Sequence, residues 1–175
     1  MTEVLIACYG DPGLYAAKEI CDCPVLGIAE TSIAMSFLLG NRFSILAASE
    51  KAVPMMEHMV AQYGMDHRLA GVFPLNMSVL DAEANRGETV SRLIEEGKKA
   101  VSKGAEVLIL GCAGMTGFGG PVSQALGIPV MDPVETSFLT LEMMCRGGFK
   151  TSKNGLYKPP GKKRIKREYL LTENI

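Results

Sequence analysis

The sequence predicts an α/β fold of two pseudo-symmetric lobes, each built on a parallel sheet flanked by helices. Three observations lead there. Short β-rich runs alternate with helical stretches as far as Met144, the pattern of βαβ units. The runs Val4-Leu5-Ile6-Ala7 and Val107-Leu108-Ile109-Leu110 are unbroken apolar segments, as expected of strands buried on both faces. A strand ending on a cysteine occurs twice, about 104 residues apart. Right-handed crossovers then place any ligand at the carboxyl ends of the strands.

Each element has a local reason. After the first strand, Asp11-Pro12 reads as an N-cap followed by proline at the first helical position, opening a helix that runs to Ile20. Pro24 to Gly27 is a short strand, and Glu30 to Leu39 is a helix closed by Gly40. Phe43 to Ala47 is a strand, and Val53 to Tyr63 is a helix ending at Gly64. Gly71 to Phe73 is a weak strand, and residues 76–83 read as a loop or short turn. Glu88 to Ser102 has the longest amphipathic pattern and closes near Gly104. The strand at 107–110 leads to a helix over 121–126, a strand over 128–131 and a helix over 133–144. From Gly147 onward Gly, Pro, Lys and Arg dominate, which predicts an extended arm.

Composition narrows the function classes. The 175 residues are 47% apolar and 21% charged, enough to bury a core without staples. The net charge of −1 offers no global field for nucleic acid. It hides a split: from Arg146 onward there are nine Lys and Arg against two Glu, whereas the preceding residues hold nine basic and seventeen acidic. No apolar run approaches the roughly 20 residues of a membrane helix. Nor does the Met1-Thr2-Glu3 start carry the basic region of a signal peptide. Five cysteines, an odd number in a chain of this size, fit a reducing cytoplasm better than a disulfide scaffold.

The repeat carries the chemistry. Residues 4–8 read VLIAC and residues 108–112 read LILGC, and a small glycine-bearing turn follows each cysteine. Further on, Pro24-Val25 and Glu30-Thr31-Ser32 recur as Pro129-Val130 and Glu135-Thr136-Ser137, displaced by 105 residues. A cysteine between a strand's carboxyl end and a helix N-terminus sits near unpaired backbone N–H groups. Such groups favour a thiolate and can hold a developing oxyanion. Two such tips facing across a cleft suit proton removal on one face of a ligand and proton delivery on the other. The alternative is that both are ordinary buried cysteines. Their matched contexts favour the functional reading.

The stretches IACYGDPGL, PVLGIAE, LLGNRFSILAA and LILGCAGM resemble the hydantoin and allantoin racemases of the aspartate/glutamate racemase superfamily, and so does FKTSKNGLYKPP. The resemblance implies racemisation of a small ureide or amino-acid-like substrate without cofactor or metal, in a cleft between the lobes. It makes Cys8 and Cys112 the acid/base pair. Tyr9, Gly10, Ala113 and Gly114 would line the substrate and offer backbone N–H groups to its carbonyls. Two departures from the family pattern bear on the site. Family members carry further strands and an Asn-Pro-Asn segment before the first cysteine motif. The first lobe, residues 1–29 plus 132–175, is therefore read as incomplete beside a second lobe of residues 30–131, and its open sheet edge predicts self-association. A Thr-Thr pair is replaced by Ala47-Ala48, so substrate contacts shift to Ala48 and Ser49.

Other features read as structural. Cys21 and Cys23 lack the second ligand pair that zinc requires. Cys145 reads as packing, His58 and His67 as a solvated helix face, and Glu30 and Glu135 as helix-opening carboxylates. The glycines from Gly114 to Gly120 lack P-loop spacing, and the basic run Lys162 to Arg167 reads as a solvated arm. The competing functional reading is a non-catalytic small-molecule-binding or interaction protein on the same scaffold.

Overall fold

The structure, a computed structural model, describes residues 3–161. The chain opens with β1 (Val4–Ile6), α1 (Leu14–Ile20), β2 (Val25–Gly27) and α2 (Ile28–Ser36). It continues through β3 (Phe43–Ala47), α3 (Val53–Gln62), β4 (Leu69–Pro74), α4 (Val79–Ala84) and α5 (Arg86–Ser102). It closes with β5 (Val107–Leu110), α6 (Gly119–Leu126), β6 (Val130–Met131) and α7 (Pro133–Arg146). Every strand pair is parallel. One sheet has the order β1-β2 and the other β4-β3-β5-β6.

The four-stranded sheet is covered on both faces. Phe43, Ile45, Val107 and Ile109 pack with α2 and α3 through Ile33, Met56 and Val60. The alternate residues Leu46, Leu108 and Leu110 pack with α5 and α6 through Leu93, Ala100 and Val122. Period-two alternation sends neighbouring residues to opposite faces, and both faces are apolar because both carry helices. Along α5 the buried positions Thr89, Leu93, Gly97 and Ala100 make one stripe, the basis of its amphipathic pattern.

The repeat extends to strand register. Val4 pairs with Val25 and Leu5 with Leu26, while Leu108 pairs with Val130 and Ile109 with Met131. Shifting the first pairs by 104 and 105 residues gives the second. The helices that follow, α2 and α7, pack against each other.

Several local expectations change. The strand β1 is only half-buried along its length, whereas β5 is fully buried. Among the described residues β1 has one strand neighbour and β5 has two. Asp11 does not cap its own helix, since α1 begins at Leu14 behind a left-handed Gly13. Residues 76–83 are not all loop: Ser78 caps α4 by accepting from the Asp81 N–H. Gly40 is not a left-handed cap. A Cβ there would lie 2.8 Å from Val107 Cγ2, so the glycine permits close approach to β5. The strand expected over 128–131 shortens to β6.

The arm from Gly147 has little regular structure, yet it is anchored. Lys153 Nζ donates to the carbonyls of Lys18 (2.5 Å), Glu19 (3.1 Å) and Cys21 (2.6 Å) at the end of α1. Tyr157 stacks edge-on against Tyr15, and Lys18 Nζ lies 5.3 Å from its ring centroid. The basic run at 162–167 lies outside the described residues. Among the described residues no helix is long and apolar enough to cross a membrane.

Candidate functional site

The two cysteines occupy equivalent turns. Cys8 follows β1 and Cys112 follows β5, each at a strand's carboxyl end. The Asp11 N–H donates to Cys8 O at 2.9 Å, and the Met115 N–H donates to Cys112 O at 3.0 Å. Each cysteine thus opens a turn closed three residues later. Inside the turns lie Tyr9 and Gly10 in one case and Ala113 and Gly114 in the other. Their four N–H groups make no backbone hydrogen bond among the described residues. Consecutive free N–H groups form a concave donor surface suited to negative charge.

Both turns lie against the start of α3. A Cβ on Gly10 would lie 3.8 Å from Met55 Sδ, and one on Gly111, beside Cys112, would lie 3.0 Å from Met56 Cε. Ala48 stands beside Cys112 because β3 and β5 pair Leu46 with Leu110 two residues earlier. Ala48, Cys112 and Gly114 line a cavity of about 10 Å³ that Met77 and Ser78 also line. That volume holds at most one water. Ser49 is half-buried and makes no capping bond with its side chain. The chain after it is fixed by Asn76, whose Oδ1 accepts from the Glu50 N–H at 2.9 Å.

Cys8 is exposed and Cys112 half-buried. The small cavity that Cys112 lines does not include Cys8. Ala48, Gly114 and Cys112 are gathered at the carboxyl end of the four-stranded sheet, and Tyr9, Gly10 and Cys8 at the carboxyl end of the two-stranded one. The Tyr9 side chain turns inward, 4% exposed, against a core cluster that Ala113 also packs on. Burial pushes its phenol pKa well above the ordinary range. Tyr9 can therefore serve a ligand only through its backbone.

Sequence reasoning missed the role of Asp11. Its backbone is left-handed, with φ of 43°. Its carboxylate is buried and accepts from the N–H groups of Ala29 (3.1 Å) and Glu30 (2.7 Å), capping α2 across space. Tyr63, at the C-cap of α3, donates its hydroxyl to the same carboxylate at 3.1 Å. Burial holds the Asp11 carboxyl above its usual value and pushes the Tyr63 phenol up as well. Nearby, Lys18 and Glu30 form a 2.6 Å ion pair with the lysine almost wholly buried. The signal for Asp11 was present in the repeat: Gly27 stands where the second half has the helix-capping Asp132.

Parallel βαβ pairs with a cysteine turn at each carboxyl end define an α/β protein with two matched thiol tips. The chain belongs to the Asp/Glu/hydantoin racemase family, which matches residues 2–139. It is 42% identical over 160 residues to a hydantoin racemase from Pseudomonas sp. (strain NS671), covering 91% of this chain and 64% of the relative. It is 39% identical to a hydantoin racemase from Paenarthrobacter aurescens, covering 91% of this chain and 68% of the relative. The chain thus spans about two thirds of the length of these relatives. The crystal structure of allantoin racemase from Pseudomonas fluorescens superposes with a TM-score of 0.89 at 30% identity, covering 94% of this chain and 71% of that one.

Proposed function

We propose that this chain racemises a 5-substituted hydantoin or a related ureide, with Cys8 and Cys112 as a two-base pair and no cofactor. The observation that carries this reading is the matched pair of cysteine turns, in each of which two backbone N–H groups make no backbone hydrogen bond among the described residues. The activity named for its relatives supports the substrate class.

In this mechanism one thiolate takes the proton from the carbon beside the carbonyl. The bond electrons move into an enolate, whose oxygen is held by the free N–H groups of the turns. The opposite thiol gives its proton to the other face of the same carbon, leaving product and a thiolate on the second cysteine. Tyr9 and Gly10 contact the substrate from one side through their backbone, and Ala113 and Gly114 from the other. Ala48 and the Ser49 hydroxyl border the second side. The site lies between a first lobe of residues 1–29 plus 132–175 and a second of residues 30–131, and self-association would enclose it further.

The second reading is a binding protein without turnover, favoured by the placement of Cys8 and Cys112 on two separate sheets. Incubating an enantiopure 5-substituted hydantoin in deuterium oxide separates the two. Racemisation with deuterium at C5, abolished in Cys8→Ser and in Cys112→Ser, is expected. Unchanged racemisation in the double variant would exclude the thiols. Ligand binding without exchange would establish the second reading.

A further inference from the structure

The two halves of the repeat each place one carboxylate at the N-terminus of the helix that follows the second strand, but they deliver it from opposite directions. In the second half, Asp132 is the N-cap of α7. Its Oδ1 accepts from the N–H groups of Val134 (3.0 Å) and Glu135 (3.2 Å), and its Oδ2 accepts from Gly117 N–H (2.8 Å) in the loop after Cys112. In the first half the matching helix donors, displaced by 105 residues, are Ala29 and Glu30, and both donate to Asp11. Asp11 lies in the cysteine loop itself. The N-cap position of α2 is Gly27.

Sterics explain why Gly27 has no side chain. A Cβ there would lie 2.3 Å from Asp11 Cγ and 2.4 and 2.5 Å from its two oxygens. The Asp11 carboxylate fills the volume that a side chain at 27 would occupy. Backbone geometry at the two cap positions is similar, with φ and ψ of −102° and 146° at Gly27 and −78° and 115° at Asp132. The loop glycine five residues after each cysteine is also left-handed in both halves, Gly13 at φ 73° and Gly117 at φ 85°.

We propose that Asp11 and Asp132 are equivalent positioning residues, each tying a cysteine turn to the helix beside it, and that the carboxylate in the first half can be supplied from either Asp11 or position 27. Asp11 fixes the Cys8 turn to α2 and, through the Tyr63 hydroxyl, to α3. Its bearing on turnover rests on the racemase reading; its bearing on structure does not.

The test exchanges the two residues. Asp11→Gly removes the carboxylate and relieves the left-handed backbone. Gly27→Asp alone forces a side chain into the occupied volume. The double variant Asp11→Gly/Gly27→Asp rebuilds the arrangement of the second half. Three readouts are taken: melting temperature, amide exchange at Ala29 and Glu30, and kcat and KM for hydantoin racemisation. Asp11→Gly is expected to lower the melting temperature, speed exchange at both amides by about fivefold, and lower kcat with KM nearly unchanged. Gly27→Asp should also lower the melting temperature. The exchanged variant should recover most of each loss. An exchanged variant no better than Asp11→Gly in melting temperature and amide protection overturns the proposal. Where Asp11→Gly does not fold, a folded exchanged variant upholds it and an unfolded one ends it. If wild-type protein shows no racemisation, the function reading falls, while the first two readouts still decide the carboxylates' equivalence.

Discussion

Tyr9 follows the first cysteine, and its ring fills the core while its hydroxyl makes no hydrogen bond among the described residues. A buried, unpaired hydroxyl costs free energy, so Tyr9→Phe should leave stability unchanged or raise it by about 1 kcal/mol. Thermal melting checks this, and racemisation should survive because only the backbone faces the turn. The phenol's pKa is raised by burial, so its neutral form contributes stability in full below the unfolded value of 10.0, and that contribution is lost as pH rises through the folded value. The variant's stability should therefore fall less steeply above pH 10 than that of wild type. Cys8, Cys112 and their flanking glycines were legible because two copies of one pattern are visible in a single chain. The inward turn of Tyr9 was not, because an aromatic residue after a strand looks the same whether it faces ligand or core.

Gly111 shows how an element's packing governs the residue at its tip. It directly follows β5, and its N–H donates to Leu46 O at 2.8 Å. A Cβ on it would lie 2.8 Å from that oxygen and 2.9 Å from Ile45 Cγ2. Gly111→Ala must therefore push β3 and β5 apart immediately before Cys112. The expected cost is about 1–3 kcal/mol, seen as a lower denaturant midpoint. Labelling of Cys112 by iodoacetamide should change more than labelling of Cys8; equal changes at both thiols would contradict a local effect. The apolar runs in β1 and β5 read alike in the sequence, yet their burial differs. Hydrophobic pattern reports a strand's preference for burial, and the number of strand and helix neighbours sets how much burial it receives.

The arm and the body are joined through Lys153, whose ammonium group caps the carboxyl end of α1 with three hydrogen bonds. Lys153→Met keeps the aliphatic stem and removes the charge. It should destabilise the protein by about 1–2 kcal/mol and speed amide exchange at the end of α1. A melting temperature equal to that of wild type would show that the arm contributes nothing there. The basic character of the arm was evident from composition, whereas its attachment depends on a lysine meeting carbonyls about 130 residues away in sequence. The same division runs through the whole protein. By itself the sequence determined the α/β class, most of the strands and helices, the repeat and the two cysteine tips, because these depend on local periodicity, turn residues and internal comparison. Only the tertiary structure decided that Asp11 caps the distant α2, that Gly27 is bare because Asp11 fills its space, and that the start of α3 lies against both cysteine turns. Those facts depend on which surfaces meet after the chain has folded, and spacing along the sequence does not encode which of several possible partners a buried carboxylate will reach.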